Sequence, residues 1–583
     1  MQPETKTCQS CKKDFTIEPE DFVFYEKIKV PAPTFCPQCR LVRRLMWRNE
    51  RGFFRRTCAK CNKSTIAVYP EDSGITVYCR ACWWKDDWDA MEYGIDFDPS
   101  KPFFVQINEL LRSVPLPSLF GLYSTLQNSE FTNMIGYSKD CFFLTMADWD
   151  ENCSYGSNVY HCNDTFDNLM LDESQLCYET TNCQKCHEAF YCLDCTASFN
   201  ISFSKNLVGC SNCIGCVNLK NKQYYIFNQP YSKEEYEKLA PQYAPTSRTQ
   251  IAKTWRQARV LWAQHPQRFM HSRLTDDVSG DYINNSKNTH DAFMAQDTEN
   301  ARFVGMVTPG KTTDVYDHTH YGVNTELVYE TLQVGNGASN IRFCWFVITS
   351  TRDMEYSIFS IGAQNSFGCV GVKKKEYCIL NKQYSKEEYE KLRAEIIQQM
   401  NDQPYVDSMG RVYKYGEFFP TDFSPYAYNV GSAQEFFPLD EARAKAQGFA
   451  WAPPKKSENV ATILAEEIPD GPAQNVLNAI KEIYECAHKG TCTDQCSGAL
   501  KLTQAELDFY ARFSLPLPAL CPNCRHYSRV ALRNPWHLWH RTCMCTQPHT
   551  HHAGQCPNEF ETSYAPDGPE IVYCESCYQQ EVV

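Results

Sequence analysis

Cysteine is the residue type through which this chain could do chemistry, and its spacing names the kind. Residues 8 to 82 hold eight cysteines in four CxxC pairs: Cys8/Cys11, Cys36/Cys39, Cys58/Cys61 and Cys79/Cys82. Thiols at this spacing can bend onto one tetrahedral ion, and two pairs complete a closed four-sulfur zinc site. The pattern returns near the other end. Cys11 to Tyr25 is 14 steps, as is Cys496 to Tyr510; Tyr25 to Cys36 and Tyr510 to Cys521 are each 11; Cys39 to Cys58 and Cys524 to Cys543 are each 19. Matched words accompany the spacing, FCPQCR against LCPNCR and VYCRAC against VYCESC. The chain therefore carries two copies of one double zinc module, the second with Cys492, Cys496, Cys521, Cys524, Cys543, Cys545, Cys574 and Cys577 as its ligands. About four structural zinc ions are expected, none with a position open to water or substrate. Sequential and cross-braced ligation are both open on spacing alone. The second copy departs from CxxC at Cys492-x3-Cys496 and Cys543-x-Cys545. Its insertion QPHTHHAGQCPNE offers His549, His551, His552 or Cys556 as substitute ligands, against the plainer reading of a His-rich loop.

A basic run follows the second knuckle. Between Lys27 and Lys63 stand eleven Lys/Arg and a single acid, Glu50, in a chain of net charge −13. Arg40, Arg43, Arg44, Arg48, Arg51, Arg55 and Arg56, interleaved with Trp47, Phe53 and Phe54, could set guanidiniums on phosphates and rings on unstacked bases. Arg525, Arg529 and Arg533 repeat the feature in the second copy. A protein interface or a solvated, ion-paired face competes with nucleic-acid contact.

These modules need a frame. At 583 residues, 43% hydrophobic and 14% aromatic, the chain predicts a globular protein of three to five domains. It opens MQPETKTC, without a basic-then-apolar leader, and no apolar run reaches transmembrane length. With 32 cysteines, many at metal spacing, the expected location is cytoplasmic. From about 131 to 228, short aromatic or branched bursts alternate with Asn, Asp, Ser and Gly, without helical periodicity. All eleven cysteines from Cys141 to Cys216 are separated by multiples of three, many pairs by 21 or 24. Recurring spacing of that size predicts stacked rungs, a parallel β-helix or related β-solenoid, with buried thiols in its core. Metal at Cys183, Cys186, Cys192, Cys195, Cys210, Cys213 and Cys216 is the competing reading. A second such block runs from about 280 to 380, and YSKEEYEKL closes both, at Tyr231 and Tyr384, as a Ser-capped helix. The fold expected is mainly β with small α, terminal double zinc ribbons flanking a duplicated parallel β-solenoid. Its units are 1–100 (first zinc module), 101–228 (connector and first block), 229–279 (cap and linker), 280–382 (second block), 383–480 (cap and loop-rich tether) and 481–583 (second zinc module). Helices are expected near 105–112, 247–270, 472–487 and 503–513, the last with a Thr503 cap and Glu506 at the fourth position; the stretch FTIEPEDFVFYEKIKVPAPTF reads as strand and turn.

The words FTIEPEDFVFYEKIKVPAPTFCPQCR, VYCRACWW, CVNLKNKQYYIFN, YSKEEYEKL, FFPLDEARAKAQGFAW and LPLPALCPNCRHYSRV carry a resemblance over nearly the whole chain. It resembles multi-zinc-ribbon proteins of candidate-phyla (ultra-small) bacteria, and its CxxC…CPxCR cores are similar to small "probable zinc-ribbon" domains. The resemblance implies zinc ribbons around a repetitive middle and no established activity.

The leading expectation is a non-enzymatic zinc scaffold that meets RNA or a ribonucleoprotein through the ten arginines above. A protein-assembly scaffold without nucleic acid is the alternative. A glycan-active β-helix is third, with Asp148, Asp150, Asp164 and Asp167, or Asp276, Asp277 and Asp281, as its carboxylates, although Asp is also what such turns use. GxSxG, Walker, HExxH and GxGxxG fingerprints are missing from the sequence.

Overall fold

The computed structural model describes residues 2–307, 310–453, 460–475 and 478–582. It is strand-rich, with parallel sheets in the middle and cysteine clusters towards both ends. In the first block each strand pairs in parallel with the one 12 residues on: Ser157 with Leu169, Leu169 with Thr181, Phe199 with Ser211. The second block pairs likewise at intervals of 12 to 14, as Val315 with Val328 and Met354 with Ser366.

The three-residue phase of the cysteines has a backbone cause. From Asn128 to Phe227 every third residue has positive φ, glycine at only two of those positions. A corner after each short extended step turns the following side chain inward. Positions 135, 141, 144, 147, 153, 159 and so on therefore form a buried core of Cys, Ile, Leu, Ala and Val. The interior thiols sit against backbone carbonyls, Cys153 Sγ being 3.3 Å from Glu151 O and 3.5 Å from Cys162 O, and burial pushes the Cys177 and Cys195 thiols up. Core packing is thus where the structure puts Cys183 to Cys216. A left-handed non-glycine residue costs about 1–2 kcal/mol. Two features offset this. The residue before each corner donates its N–H eleven residues on (Thr145 to Gly156 O, 3.1 Å; Ser157 to Asn168 O, 3.0 Å). Corner amides also form ladders, Asn182 donating to Asp194 at 2.7 Å and Asn206 to Asn218 at 2.8 Å.

Both blocks finish alike. A short antiparallel strand (Gln229–Pro230, Lys382–Gln383) folds onto the last parallel one. A helix then starts with Ser232 or Ser385 accepting the N–H of Glu235 or Glu388. Tyr236 and Tyr389 pack that helix on Tyr224 and Tyr377.

Three expectations change. FTIEPEDFVFYEKIK holds a helix, Pro19–Ile28, because Pro19 suits a first helical position and Asp21 accepts the Glu18 N–H at 3.0 Å. It is thereby the counterpart of Gln504–Arg512, whose Thr503/Glu506 capping box was expected. The helix expected over 472–487 is replaced, among the described residues, by 3-10 turns at Ala473–Asn475 and Ala479–Lys481 and a strand at Tyr484–Glu485; residues 476 and 477 lie outside the description. The stretch 403–470 is in large part no tether: Tyr413, Phe418, Phe419 and Tyr428 are buried, and only 454–459 lie outside the described residues. The expected helices at 105–112 and 247–270 are Phe103–Ser113 and Arg248–Ala263. The former packs Phe103 on Phe367 and Phe104 on Tyr356, against the second block rather than the first.

Candidate metal centres

Four cysteine quartets have all their sulfurs within 4.8 Å of one another: Cys8, Cys11, Cys36, Cys39; Cys58, Cys61, Cys79, Cys82; Cys486, Cys496, Cys521, Cys524; and Cys543, Cys556, Cys574, Cys577. Grouping is sequential. Four thiolates around one ion at about 2.3 Å stand about 3.8 Å apart. Observed separations are 3.7 Å for Cys11–Cys36, 3.9 Å for Cys61–Cys79, 3.6 Å for Cys486–Cys496 and 3.9 Å for Cys556–Cys574. These match the edges of such a tetrahedron and are far longer than a disulfide bond.

Each quartet is built the same way. A two-stranded hairpin presents the first two cysteines, and the second pair opens a helix, as at Pro37–Met46 and Pro522–Val530. The N–H of the third cysteine donates to the sulfur of the first: Cys36 to Cys8 (3.2 Å), Cys79 to Cys58 (3.2 Å), Cys521 to Cys486 (3.3 Å), Cys574 to Cys543 (3.2 Å). Such donors stabilise thiolate charge.

This equivalence corrects two ligands. Cys8 N–H bonds to Lys13 O, two residues past Cys11, and Cys486 N–H bonds to Gly498 O, two past Cys496. Cys486, not Cys492, therefore answers to Cys8; Cys492 stands in the inserted loop, 3.6 Å from Cys524. Likewise Cys58 N–H bonds to Lys63 O and Cys543 N–H to Asn558 O, so Cys556, not Cys545, answers to Cys61. Both insertions fall inside a hairpin tip, where added residues disturb nothing in the strands. The strand register, Thr57 opposite Ser64 and Thr542 opposite Glu559, carries the match across them.

The arginines do not form open basic faces. Arg40, Arg43 and Arg44 are at most 2% exposed. Arg40 pairs with Asp317 at 2.8 Å and Arg44 with Asp317 (3.1 Å) and Glu330 (2.9 Å), while Arg43 bridges Glu330 to Glu417. In the other copy Arg525 meets Asp167 (3.0 Å) and Glu506 (3.2 Å), and Arg529 meets Asp167 (3.2 Å) and Glu179 (2.9 Å). Burial opposes the charge on Arg40 and Arg525, but Asp317 and Asp167 outweigh it and hold both guanidiniums protonated; burial pushes Glu330 and Glu506 up. Arg48 is taken by Glu50, Arg533 by Glu435, and Arg56 by the carbonyls of Tyr69, Pro70 and Ile75. Arg51 lies buried over the Phe143 ring, its pKa lowered to about 10 by burial and by Arg529. Of the ten, Arg55 alone is exposed. The phosphate-contact role falls for the buried ones, since a guanidinium sealed from solvent cannot reach a phosphate.

The two dockings are one design used twice. Phe24 and Tyr25 lie on Tyr316 and Tyr329, and Phe509 and Tyr510 on Phe166 and Tyr178. Each of those four body aromatics immediately precedes a carboxylate that the arginines grip: Asp317, Glu330, Asp167, Glu179. Through these pairs the first module clasps the second block and the second module clasps the first, and each also touches the other block, Phe53 on Phe143 and Trp536 on Phe293.

Most of the named carboxylates have partners of their own. Asp150 accepts the Cys162 N–H at 2.9 Å, Asp164 is held by Asn152, Asp167 by two arginines, and Asp281 by His271 at 2.8 Å. Burial pushes Asp148 up to about 6; Asp276 and Asp277 face Lys287 and His290 at 3.6 and 3.5 Å. Among the described residues, no helix is long and apolar enough to cross a membrane. No protein-family model matches the chain, and no curated protein matches it.

Proposed function

We propose that this chain is a non-enzymatic assembly scaffold whose rigidity comes from zinc. The four quartets hold Zn2+ in closed four-thiolate centres, and the parallel sheets are faces of two stacked β-solenoid blocks, the architecture that the 12-residue register supports. The observation that carries the reading is the paired docking: two metal modules spend their arginines on Asp317, Glu330, Asp167 and Glu179 and so lock both blocks. That is how a spacer of fixed shape is made, and closed four-sulfur zinc adds structure without chemistry.

A protein partner is favoured over RNA. The ion pairs use up the cations that would meet phosphate, and four tetrathiolate centres would add about eight negative charges to a chain already at −13. Interior thiols resting on carbonyls suit a reducing compartment, so the cytoplasm is the proposed location. Kinship with the multi-zinc-ribbon proteins is part of the same proposal. Metal analysis of the purified chain, with co-purification before and after nuclease, tests it. Bound zinc and nuclease-resistant partners are expected. A metal-free native protein, or partners that vanish with nuclease, would refute it.

A further inference from the structure

The insertion that displaces Cys545 from the fourth quartet does not leave it idle. Cys545, His549, His552 and Cys577 form another group with all ligand atoms within 4.8 Å of one another, and Cys577 already belongs to the quartet with Cys543, Cys556 and Cys574. We propose that the second module holds a two-metal centre there, with the Cys577 thiolate bridging a tetrathiolate Zn2+ and a second Zn2+ bound by Cys545, His549 and His552. This rests on the zinc reading above and adds a fifth ion to it.

The residues are placed for it. Cys545 Sγ is 3.2 Å from His549 Nε2, and Cys577 Sγ is 3.2 Å from His552 Nε2. Sulfur and nitrogen ligands of one tetrahedral zinc stand about 3.5 Å apart. His552 Nδ1 lies 2.6 Å from the Gly554 carbonyl, which can only accept, so Nδ1 carries the proton and the Nε2 lone pair faces Cys577. That outer hydrogen bond is how metal-binding histidines are oriented. The backbones of His549 and His552 bond to each other (2.9 and 3.3 Å), closing a tight turn that delivers both imidazoles to one side. His551 is exposed, with Nε2 3.4 Å from Cys577 Sγ and 3.8 Å from Cys556 Sγ, a neighbour of both positions. Glu581 stands 3.3 Å from His549 Nε2, a carboxylate beside the proposed ion. Charge supports sharing: two divalent ions on five thiolates and two neutral imidazoles leave about one net negative charge, where a lone tetrathiolate zinc carries about two. The first module has the quartet but no such insertion, so the extra ion belongs to one end only.

The test is metal counting on the full-length chain by native mass spectrometry and elemental analysis. Five zinc ions are expected, falling to four in His549→Ala/His552→Ala, and also to four in Cys545→Ser. Reconstituted with Co2+, the wild type should show a high-spin resonance weakened by coupling through Cys577, and the double histidine variant should recover the uncoupled signal. A wild type with four ions, or a histidine variant that keeps the wild-type number, would overturn the bridged centre while leaving the quartets intact. A chain with no bound metal would instead sink the zinc reading from which this extends.

Discussion

Asp167→Asn isolates the clasp. The substitution keeps shape and removes one charge from a carboxylate that is fully buried and shared by Arg525 at 3.0 Å and Arg529 at 3.2 Å. Removing one partner from a buried ion pair costs about 3–5 kcal/mol, because the surviving charge is stranded. Here Arg525 keeps Glu506 and Arg529 keeps Glu179, so the lower end applies, about 3 kcal/mol. At 1.4 kcal/mol per decade this opens the docked helix about 100-fold more often. A chain of several units does not melt in two states, so a global melting temperature is the wrong readout. Hydrogen exchange read by mass spectrometry resolves local opening. Amides of residues 504–512 and 524–530 should exchange about two orders of magnitude faster in Asp167→Asn, with residues 40–46 unchanged. Asp317→Asn should give the mirror image. Because the pairs are sealed from solvent, moderate salt should alter neither result. If Asp167→Asn exchanges like wild type, or both helices loosen together in either variant, the account of two independent clasps is wrong.

Cys486→Ser and Cys556→Ser should each cost the chain zinc from a tetrathiolate centre, whereas Cys492→Ser should leave the count unchanged; mass spectrometry under native conditions decides. His318 is buried, with Nε2–H donating to Tyr321 O (3.1 Å) and Nδ1 accepting from Thr331 (2.8 Å), and burial lowers its pKa to about 3. Since an unfolded histidine titrates near 6.5, the folded state resists a proton that the unfolded chain takes up. Stability of the second block is therefore full above about pH 6.5 and falls by about 1.4 kcal/mol per pH unit below it; His320, also lowered by burial, adds to the slope, and His318→Gln should flatten it in denaturation series between neutral and mildly acidic pH. Arg55→Glu should fold as wild type does, while Arg44→Glu, placing a third carboxylate beside Asp317 and Glu330, should fail to yield soluble protein.

The sequence shows the cysteine quartets because CxxC is a local signal, and it shows the duplication because matched words survive in both copies. What it hides is set by geometry at longer range. The first cysteine of the third quartet lies ten residues from the second, and in the fourth quartet thirteen, so a reader of local spacing pairs each later thiol with its nearest neighbour. The insertion itself offers Cys556 as a substitute ligand, but spacing does not mark Cys486, and it is the hairpin register that places both. The multiples of three among Cys141–Cys216 were visible, yet ordinary strands repeat every two residues. Only a corner at every third residue turns that count into an inside and an outside, and most corner residues are not glycine.

The arginines teach a different point. A run of basic residues in sequence counts charges but not their counter-ions, which here arrive from about 270 to 370 residues away: Asp317 for Arg40 and Arg44, Glu417 for Arg43, Asp167 for Arg525. A pattern was nonetheless present. An aromatic followed by an acid occurs at Phe166–Asp167 and Tyr178–Glu179, and again at Tyr316–Asp317 and Tyr329–Glu330, twelve and thirteen residues apart within each pair. Those are single turns of the strand register, so each pair presents two rings and two carboxylates side by side on one face. The modules answer with Phe-Tyr eleven residues before the third cysteine and arginines one and five residues after the fourth. Charge and ring on both partners thus follow the same two spacings, that of a cysteine knuckle and that of a strand stack. Duplicating one knuckle together with one stack reproduces the shared heart of the interface, two rings and two gripped carboxylates, to which the first copy adds Arg43 on Glu417 and the second adds Arg525 on Glu506.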